Sequence, residues 1–343
     1  MKKYNVAIVG ATGAVGKEFL NLLEERKFPL NELRLLASKR SEGKIIEFMG
    51  KEYTVSEATE DSFENMDFAL FAGGGISKVL APFAVKAGAI VIDNSSTFRM
   101  DPEVPLVVPE VNPEAITKHK GIIANPNCST IIMVMALKPI DNLAKIKRIV
   151  VSTYQAVSGA GNPGLEELTH QVESFTKGEN MEAEVLPVAS ASKHYPIAFN
   201  VIPQIDVFLD NLYSKEEMKM INETRKIFED DNLRVTATTV RVPVYRSHSE
   251  SINIELENEI NLETMRKNIA EFPGVQLLDD LQNQIYPMPL YTAEEDDVFV
   301  GRIRKDDSNP NSYNLWVAGD QIKKGAALNT LQIAETIIKN NWF

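Results

Sequence analysis

Val6-Ala7-Ile8-Val9-Gly10-Ala11-Thr12-Gly13-Ala14-Val15-Gly16 sets the architecture of the first part of the chain. Four consecutive apolar residues read as a strand covered on both faces. Glycines at 10, 13 and 16 follow at GxxGxxG spacing, and helical periodicity runs from Val15 to Glu25. Strand, glycine turn and helix in that order make a dinucleotide fingerprint. The glycines let the backbone approach a pyrophosphate, and the helix start offers unpaired N–H groups and a positive dipole. The competing reading is a tight turn without a ligand, which the strand–turn–helix context disfavours. Gly10, Thr12, Gly13, Ala14, Val15 and Gly16 are the candidate cofactor contacts.

Working outward, short apolar runs alternate with helical patterns. Leu33 to Ala37, Phe68 to Phe71, Ala89 to Asp93 and Gly121 to Ala124 read as strands, with a helix around Val79 to Ala87. That alternation predicts an α/β, doubly wound, Rossmann-type domain over about residues 1–130. The character changes after about residue 147. Arg148 to Tyr154, Leu233 to Val244 and Ser251 to Leu256 read as strands, and apolar and polar residues alternate from His248 to Leu256. Helical patterns occupy roughly 164–177, 214–229 and 262–271. The expectation is a second, α+β domain over 131–324 with an antiparallel-rich sheet. A helical pattern within 325–343 is expected to return to the first domain.

The 343 residues include 48 acidic and 36 basic ones, for a net charge of -12, with 44% hydrophobic and 24% charged. That composition is ordinary for a folded globular chain, and its field disfavours nucleic acid and anionic membranes as partners. Small anions remain possible ligands. No apolar stretch reaches the ~20 residues of a membrane span. The N-terminal apolar run is too short for a signal peptide, so a soluble cytoplasmic protein is expected. One cysteine, Cys128, excludes an intrachain disulfide and argues against a Cys-based metal site, so no metal is expected.

The residues after the second predicted strand bear on the choice of cofactor. An NAD site usually carries a carboxylate there for the ribose hydroxyls. This chain has Ala37-Ser38-Lys39-Arg40-Ser41, with no carboxylate before Glu42. Hydroxyls and a cation suit a 2′-phosphate, so NADP is favoured, with Ser38, Arg40 and Ser41 as contacts. A solvated basic turn is the plain alternative.

Cys128 lies in Asn125-Pro126-Asn127-Cys128-Ser129-Thr130, directly before the apolar run Ile131 to Leu137. A cysteine at a helix start is stabilised as the thiolate, the nucleophilic form. A lone cysteine is more commonly buried and inert, but the polar Asn-Pro-Asn lead-in argues against that. Among His119, His170, His194 and His248, only His248 heads the alternating strand, on the side of Ile252 and Ile254 and near Arg241. It is the candidate base, with a satisfied core histidine as the alternative. Arg241 suits a carboxylate fork. Glu216 and Lys219 share a helix face, which by itself suggests a surface ion pair. Ser158-Gly159-Ala160-Gly161 is a flexible turn able to admit a nicotinamide.

Taken together, these segments resemble the aspartate-semialdehyde dehydrogenase family. The resemblance is carried by Gly10 to Gly16, Ser95-Ser96-Thr97-Phe98-Arg99, Asn125 to Thr130, Ser152 to Gly161, Asn200 to Asp206, Glu216 to Lys219, Arg241 to Val244, the His248 segment, and Gly319 to Ala327. It implies NADPH-dependent, reversible reduction of L-4-aspartyl phosphate to L-aspartate 4-semialdehyde and phosphate. That reaction feeds lysine (through diaminopimelate), threonine and methionine synthesis. It implies a homodimer, Cys128 as the acyl-thioester nucleophile, His248 as acid/base, and Gln155 orienting the substrate. It implies Arg241 and Glu216 for the substrate's carboxylate and amino groups, Arg99 and Lys219 for phosphate, Asn127 beside the nucleophile, and Ser158, Gly159 and Gln321 toward the cofactor. Two rivals remain: an N-acetyl-γ-glutamyl-phosphate reductase, whose nucleophile segment resembles NPGCYPT, and a non-catalytic NADP-sensing module, which has no need of Cys128, His248 and Arg241 together.

Overall fold

The computed structural model describes residues 2–343. The chain divides into two compact units, one running through Asn127 and resuming at Gly325–Phe343, the other comprising Cys128–Lys324. In the first unit β1 (Tyr4–Val9) leads through the glycine turn into α1 (Ala14–Glu25), then β2 (Leu30–Ala37). A small antiparallel hairpin of β3 (Ile45–Phe48) and β4 (Lys51–Thr54) precedes β5 (Ser56–Glu57). β6 (Phe68–Phe71), α2 (Ser77–Lys86), β7 (Ile90–Asp93) and β8 (Ile122–Ala124) complete the first pass. The six-stranded sheet has the order β5-β2-β1-β6-β7-β8, and all its pairs are parallel. The chain changes direction beside β1, so a crevice opens where β1 and β6 end, the place where such sheets collect ligands. Val6 and Ile8 of β1 pack with Phe19, Leu22 and Leu23 of α1 on one face, while Ala7 and Val9 join Phe71 and Leu80 on the other. Both faces are covered, and the strands accordingly read as uninterrupted apolar runs.

The second unit begins with α3 (Cys128–Asp141), whose residues Ser129 to Leu137 are all buried. β9 (Ile146–Gln155), α4 (Asn162–Lys177), α5 (Lys215–Phe228), β10 (Arg234–Arg241) and β11 (His248–Leu256) follow. Then come α6 (Leu262–Glu271), β12 (Val275–Leu277), the short α7 (Pro289–Thr292), β13 (Val298–Lys305) and β14 (Ser312–Gly319). The sheet order is β10-β9-β11-β14-β13-β12. β9–β11, β11–β14 and β13–β14 pair antiparallel, while β10–β9 and β12–β13 pair parallel, so the sheet is mixed. α3 packs against β9, β13 and β14. A Cβ at Gly319 would lie 3.2 Å from Ile132, so the glycine lets the helix come in close at that end of β14. α8 (Leu328–Asn340) belongs to the first unit, where Leu331, Ala334 and Ile337 join the α1–β1 core.

The sequence reading did not mark β12, β13 or β14. Val298 to Lys305 ends in Arg-Ile-Arg-Lys and carries Gly301 at its centre, which weakens its strand pattern. The β3–β4 hairpin also went unmarked, being short and half exposed.

Candidate functional site

Register gathers the polar residues of the second unit at one sheet end. Arg241 ends β10 directly beside Gln155, which ends β9. Ser249 pairs with Tyr154, so the preceding residue, His248, falls next to Gln155 on the antiparallel side. His248 shares its face with Ile252 and Ile254, which are almost fully buried, and is itself fully buried. The glutamine side chain ties the group together. Gln155 Nε2 donates to Glu216 Oε1 at 3.2 Å and lies 3.4 Å from His248 Nε2, while the Thr153 hydroxyl donates to Gln155 Oε1 at 3.0 Å. The residue after it contributes only backbone. The Ala156 N–H donates to His248 Nδ1 at 3.0 Å, and the Ala156 carbonyl accepts from Arg241 Nη1 at 2.7 Å.

α5 supplies the carboxylate. Ser214 and Glu217 form a capping box that fixes the helix start, which sets Glu216 facing inward, 5% exposed. Lys219, one turn on, bridges Glu216 at 3.0 Å and Asp206 at 3.1 Å. Burial works to lower the Lys219 pKa, but the two carboxylates outweigh it and raise it. Burial also lowers the pKa of Arg241, with Glu216 first and then Cys128 opposing it. The guanidinium and the sulfur are therefore close enough to couple. Burial first, then Arg241, pulls the His248 pKa from 6.5 to about 3, with Glu216 opposing. The imidazole is neutral at physiological pH.

Cys128 is partly exposed and is the first residue of α3, as the sequence suggested. The other assigned residues of this unit lie nearby or bond among themselves. A Cβ on Gly159 would meet Arg241 Nη1 at 2.7 Å and His248 Cε1 at 3.3 Å, so the turn lies directly on those two side chains. Gln321 Nε2 donates to the Ser158 hydroxyl, and Gln321 Oε1 accepts from Ser247 N–H at 2.8 Å.

In the first unit, Arg99 is 7% exposed and donates from Nε to the Asn125 carbonyl at 2.9 Å and from Nη2 to the Asn94 carbonyl at 2.7 Å. Asn127 is buried at the end of that unit's first segment. Arg99 and Lys219 lie in different units and are each engaged by protein acceptors. Around the glycine loop, Gly10 has φ +89 and a Cβ there would sit 3.1 Å from Ala72 Cβ. Gly13 caps α1 without a side-chain hydrogen bond, and the first turn holds no acidic residue. A helix start without an acidic residue in its first turn suits an anionic ligand. Thr12 Oγ1 lies 3.4 Å from Ser41 Oγ. Ser38 and Arg40 are exposed, whereas Lys39 is held by Glu42 at 2.8 Å and Glu57 at 3.1 Å. Arg40 therefore carries the positive charge of the turn without an ion-pair partner among the described residues. Among those residues no group of three or more His, Cys, Asp or Glu is placed to hold a metal ion, and no helix is long and apolar enough to cross a membrane.

Three residues of this region had no role in the sequence reading. The Ala156 backbone has no side-chain signal and emerges only from register. Asp206 closes the Asn200–Asp206 segment, which was noticed without a role. Glu250 was read as part of an alternating strand, yet it is fully buried on the His248 face, and neither carboxyl oxygen has a partner among the described residues.

Comparison with known proteins agrees across the chain. Residues 5–119 match the semialdehyde dehydrogenase NAD binding domain, and residues 137–324 match the semialdehyde dehydrogenase dimerisation domain. Aspartate-semialdehyde dehydrogenase of Aquifex aeolicus is 56% identical over 340 residues, and that of Bacillus subtilis 54% over 339, each alignment covering 98% of both chains. The crystal structure of aspartate semialdehyde dehydrogenase II from Vibrio cholerae, complexed with ASA, superposes with a TM-score of 0.93 at 47% identity, covering 99% of each chain. With this identity spread over both units, the chain belongs to the aspartate-semialdehyde dehydrogenase family.

Proposed function

We propose that the chain is an NADP-dependent, phosphorylating aspartate-semialdehyde dehydrogenase. It reduces L-4-aspartyl phosphate to L-aspartate 4-semialdehyde and phosphate, reversibly, through a thioester on Cys128, and works as a cytoplasmic homodimer. The observation that carries the chemistry is a partly exposed Cys128 at the start of α3, electrostatically coupled to Arg241. A thiolate there is stabilised by the helix dipole and by the guanidinium. Its sulfur attacks the acyl carbon and expels phosphate. Arg241 Nε is buried and has no acceptor among the described residues, so a substrate carboxylate would satisfy it. Glu216, which accepts from Gln155 at one oxygen and from Lys219 at the other, is assigned to the substrate's amino group. Gln155 orients the acyl group between them. His248 is the acid/base at the reacting group, and Lys219, Arg99 and Asn127 are assigned to phosphate and to the substrate beside the nucleophile.

The glycine loop fits a dinucleotide, because the positive φ of Gly10 and the uncapped start of α1 leave room and donors for a pyrophosphate. Gly10, Thr12, Gly13, Ala14, Val15 and Gly16 would hold it. Ser38, Arg40 and Ser41 would hold the 2′-phosphate, and Ser158, Gly159 and Gln321 are also assigned to the cofactor. When bound, NADPH supplies the hydride.

The test is NADP+ reduction by the purified protein with L-aspartate 4-semialdehyde, run with and without phosphate and in parallel with NAD+. Turnover is expected only with phosphate present and to be faster with NADP+. Equal or better turnover of the N-acetylglutamate analogue would transfer the chain to the rival reductase, and NADPH binding without turnover would make it a sensor.

A further inference from the structure

β10 is the edge strand of its sheet and pairs with β9 along one side. The backbone N–H groups on its other side need acceptors from elsewhere. The Arg241 N–H donates to the Ile202 carbonyl at 2.9 Å, and the Thr239 N–H donates to Glu217 Oε1 at 3.0 Å. The second oxygen of that carboxylate, Oε2, accepts from the Ser214 N–H at 2.7 Å, while the Ser214 hydroxyl accepts from the Glu217 N–H at 3.2 Å. One carboxylate thus closes the capping box of α5 and also caps the edge of β10. Glu217, Ser214 and Thr239 are all buried. A glutamine would serve the capping box as well. Only a carboxylate can accept at both ends, which accounts for an acid at this position.

The link joins two groups of the site. Glu216 directly precedes Glu217 at the start of α5. Arg241 lies two residues beyond Thr239, so their side chains leave the strand on one face. Thr239 Oγ1 lies 3.4 Å from Ser214 Oγ, which sets that face against α5. Glu216 and Arg241 are close enough for the carboxylate to act on the guanidinium.

We infer that Glu217 is a positioning residue for substrate selection: its carboxylate clamps α5 to β10 and so fixes the spacing between Glu216 and Arg241. This rests on the function proposed above, in which those two groups take the amino and carboxylate ends of the substrate. Both Glu217 oxygens are engaged by backbone, so the residue acts through its neighbours. Two anchors at a set separation favour a molecule that carries both charges. A molecule with the carboxylate alone can shift to follow Arg241 and is insensitive to the spacing.

The readout is the ratio of kcat/KM for L-aspartate 4-semialdehyde to that for succinate semialdehyde, which lacks only the amino group, measured with NADP+ and phosphate. In Glu217→Gln one of the two N–H groups meets an amide NH2 in place of an acceptor, and the clamp opens. The ratio should fall on the order of tenfold, through KM for the aspartate compound and with kcat little changed. Ser214→Ala weakens the helix cap but leaves the carboxylate between its two N–H donors, so the melting temperature should drop while the ratio holds. An unchanged ratio in Glu217→Gln, an equal loss on both aldehydes, or an equal fall in Ser214→Ala would each overturn the inference. Should Glu217→Gln fail to fold, Glu217→Asp, too short to span both donors, takes its place with the same expectation. Amide hydrogen exchange needs no substrate and separates this inference from the assigned function. The Thr239 N–H should be protected in the parent and exchange faster in Glu217→Gln, with the Arg241 N–H protected in both. Fast exchange at Thr239 in the parent would show that no clamp forms, whichever aldehyde the protein oxidises.

Discussion

Gly16 and Gly159 lie in different units and exclude a side chain for different reasons. A Cβ at Gly16 would sit 2.2 Å from the Gly10 carbonyl oxygen and 2.7 Å from Ala11 Cα, all of it backbone. At Gly159 the collision is with the ends of two side chains, Arg241 Nη1 and the His248 ring. The first unit shapes its ligand site out of main chain, and its specificity lies in the path of the loop. The second unit shapes its site out of buried ionisable side chains, and its specificity lies in which of them touch. Main chain at a strand–helix turn cannot yield, whereas an arginine tip can move at a cost in function.

The largest effect expected from this contrast is that of Gly16→Ala. The methyl must displace the loop or α1, and overpacking of this kind costs about 1–3 kcal/mol even where a core can adjust. We expect NADPH affinity to fall by on the order of 100-fold or more, equivalent to about 2.7 kcal/mol, together with a lower melting temperature. Alkylation of Cys128, in the other unit, should be unchanged. Fluorescence titration of NADPH checks the first outcome, and unaltered affinity would mean that the cofactor does not use this loop.

Gly159→Ala should act more gently and on a different quantity. The fold should survive, because Arg241 can retract, but its bond to the Ala156 carbonyl and its reach toward a carboxylate would then be lost. KM for the semialdehyde should rise about 10-fold, roughly 1.4 kcal/mol, with a smaller change in NADPH affinity. Steady-state kinetics separates the two. A variant impaired only in cofactor binding would show that this turn serves the nicotinamide alone.

The same contrast explains what was legible in the sequence. The glycine spacing after Val6 to Val9 announced the first unit, because a backbone site needs particular residues at particular positions along one short segment. Cys128 was legible for a similar reason: the polar lead-in and the apolar run beyond it mark a helix start locally. Gln155, Glu216, Arg241 and His248 come from four separate elements, and only the pairing of β9 with β10 and β11 makes them neighbours. Family resemblance named them, but neither periodicity nor composition could show that Lys219 would be occupied by Glu216 and Asp206. Nor could they show that the Ala156 N–H would donate to His248 Nδ1. The alternation from His248 to Leu256 gave the correct inward face, and in doing so placed Glu250 inside, where its charge makes the bare pattern misleading.

Glu250 sharpens the comparison further when set against Asp93. Both are fully buried carboxyls on strands. Asp93, in the first unit, accepts from the Ser77 hydroxyl at 2.7 Å, the Ser95 N–H at 3.0 Å and the Ser95 hydroxyl at 2.6 Å. Glu250, between Thr153 and Val317 in the sheet, has no partner on either oxygen among the described residues. Burial raises its pKa well above the ordinary 4.5. The folded state therefore binds this proton more tightly than the unfolded chain does. The stabilising contribution is complete below about pH 4.5 and is lost as pH rises from there through the folded pKa. Glu250→Gln keeps the shape and removes the titration. The variant should gain on the parent by about 1.4 kcal/mol for each pH unit across that window. Urea unfolding of both proteins at a series of pH values measures the difference directly. A difference that stays constant with pH would mean that Glu250 is already ionised in the fold, which requires a cation or water-bonded partner at this position and would erase the distinction between the two carboxyls.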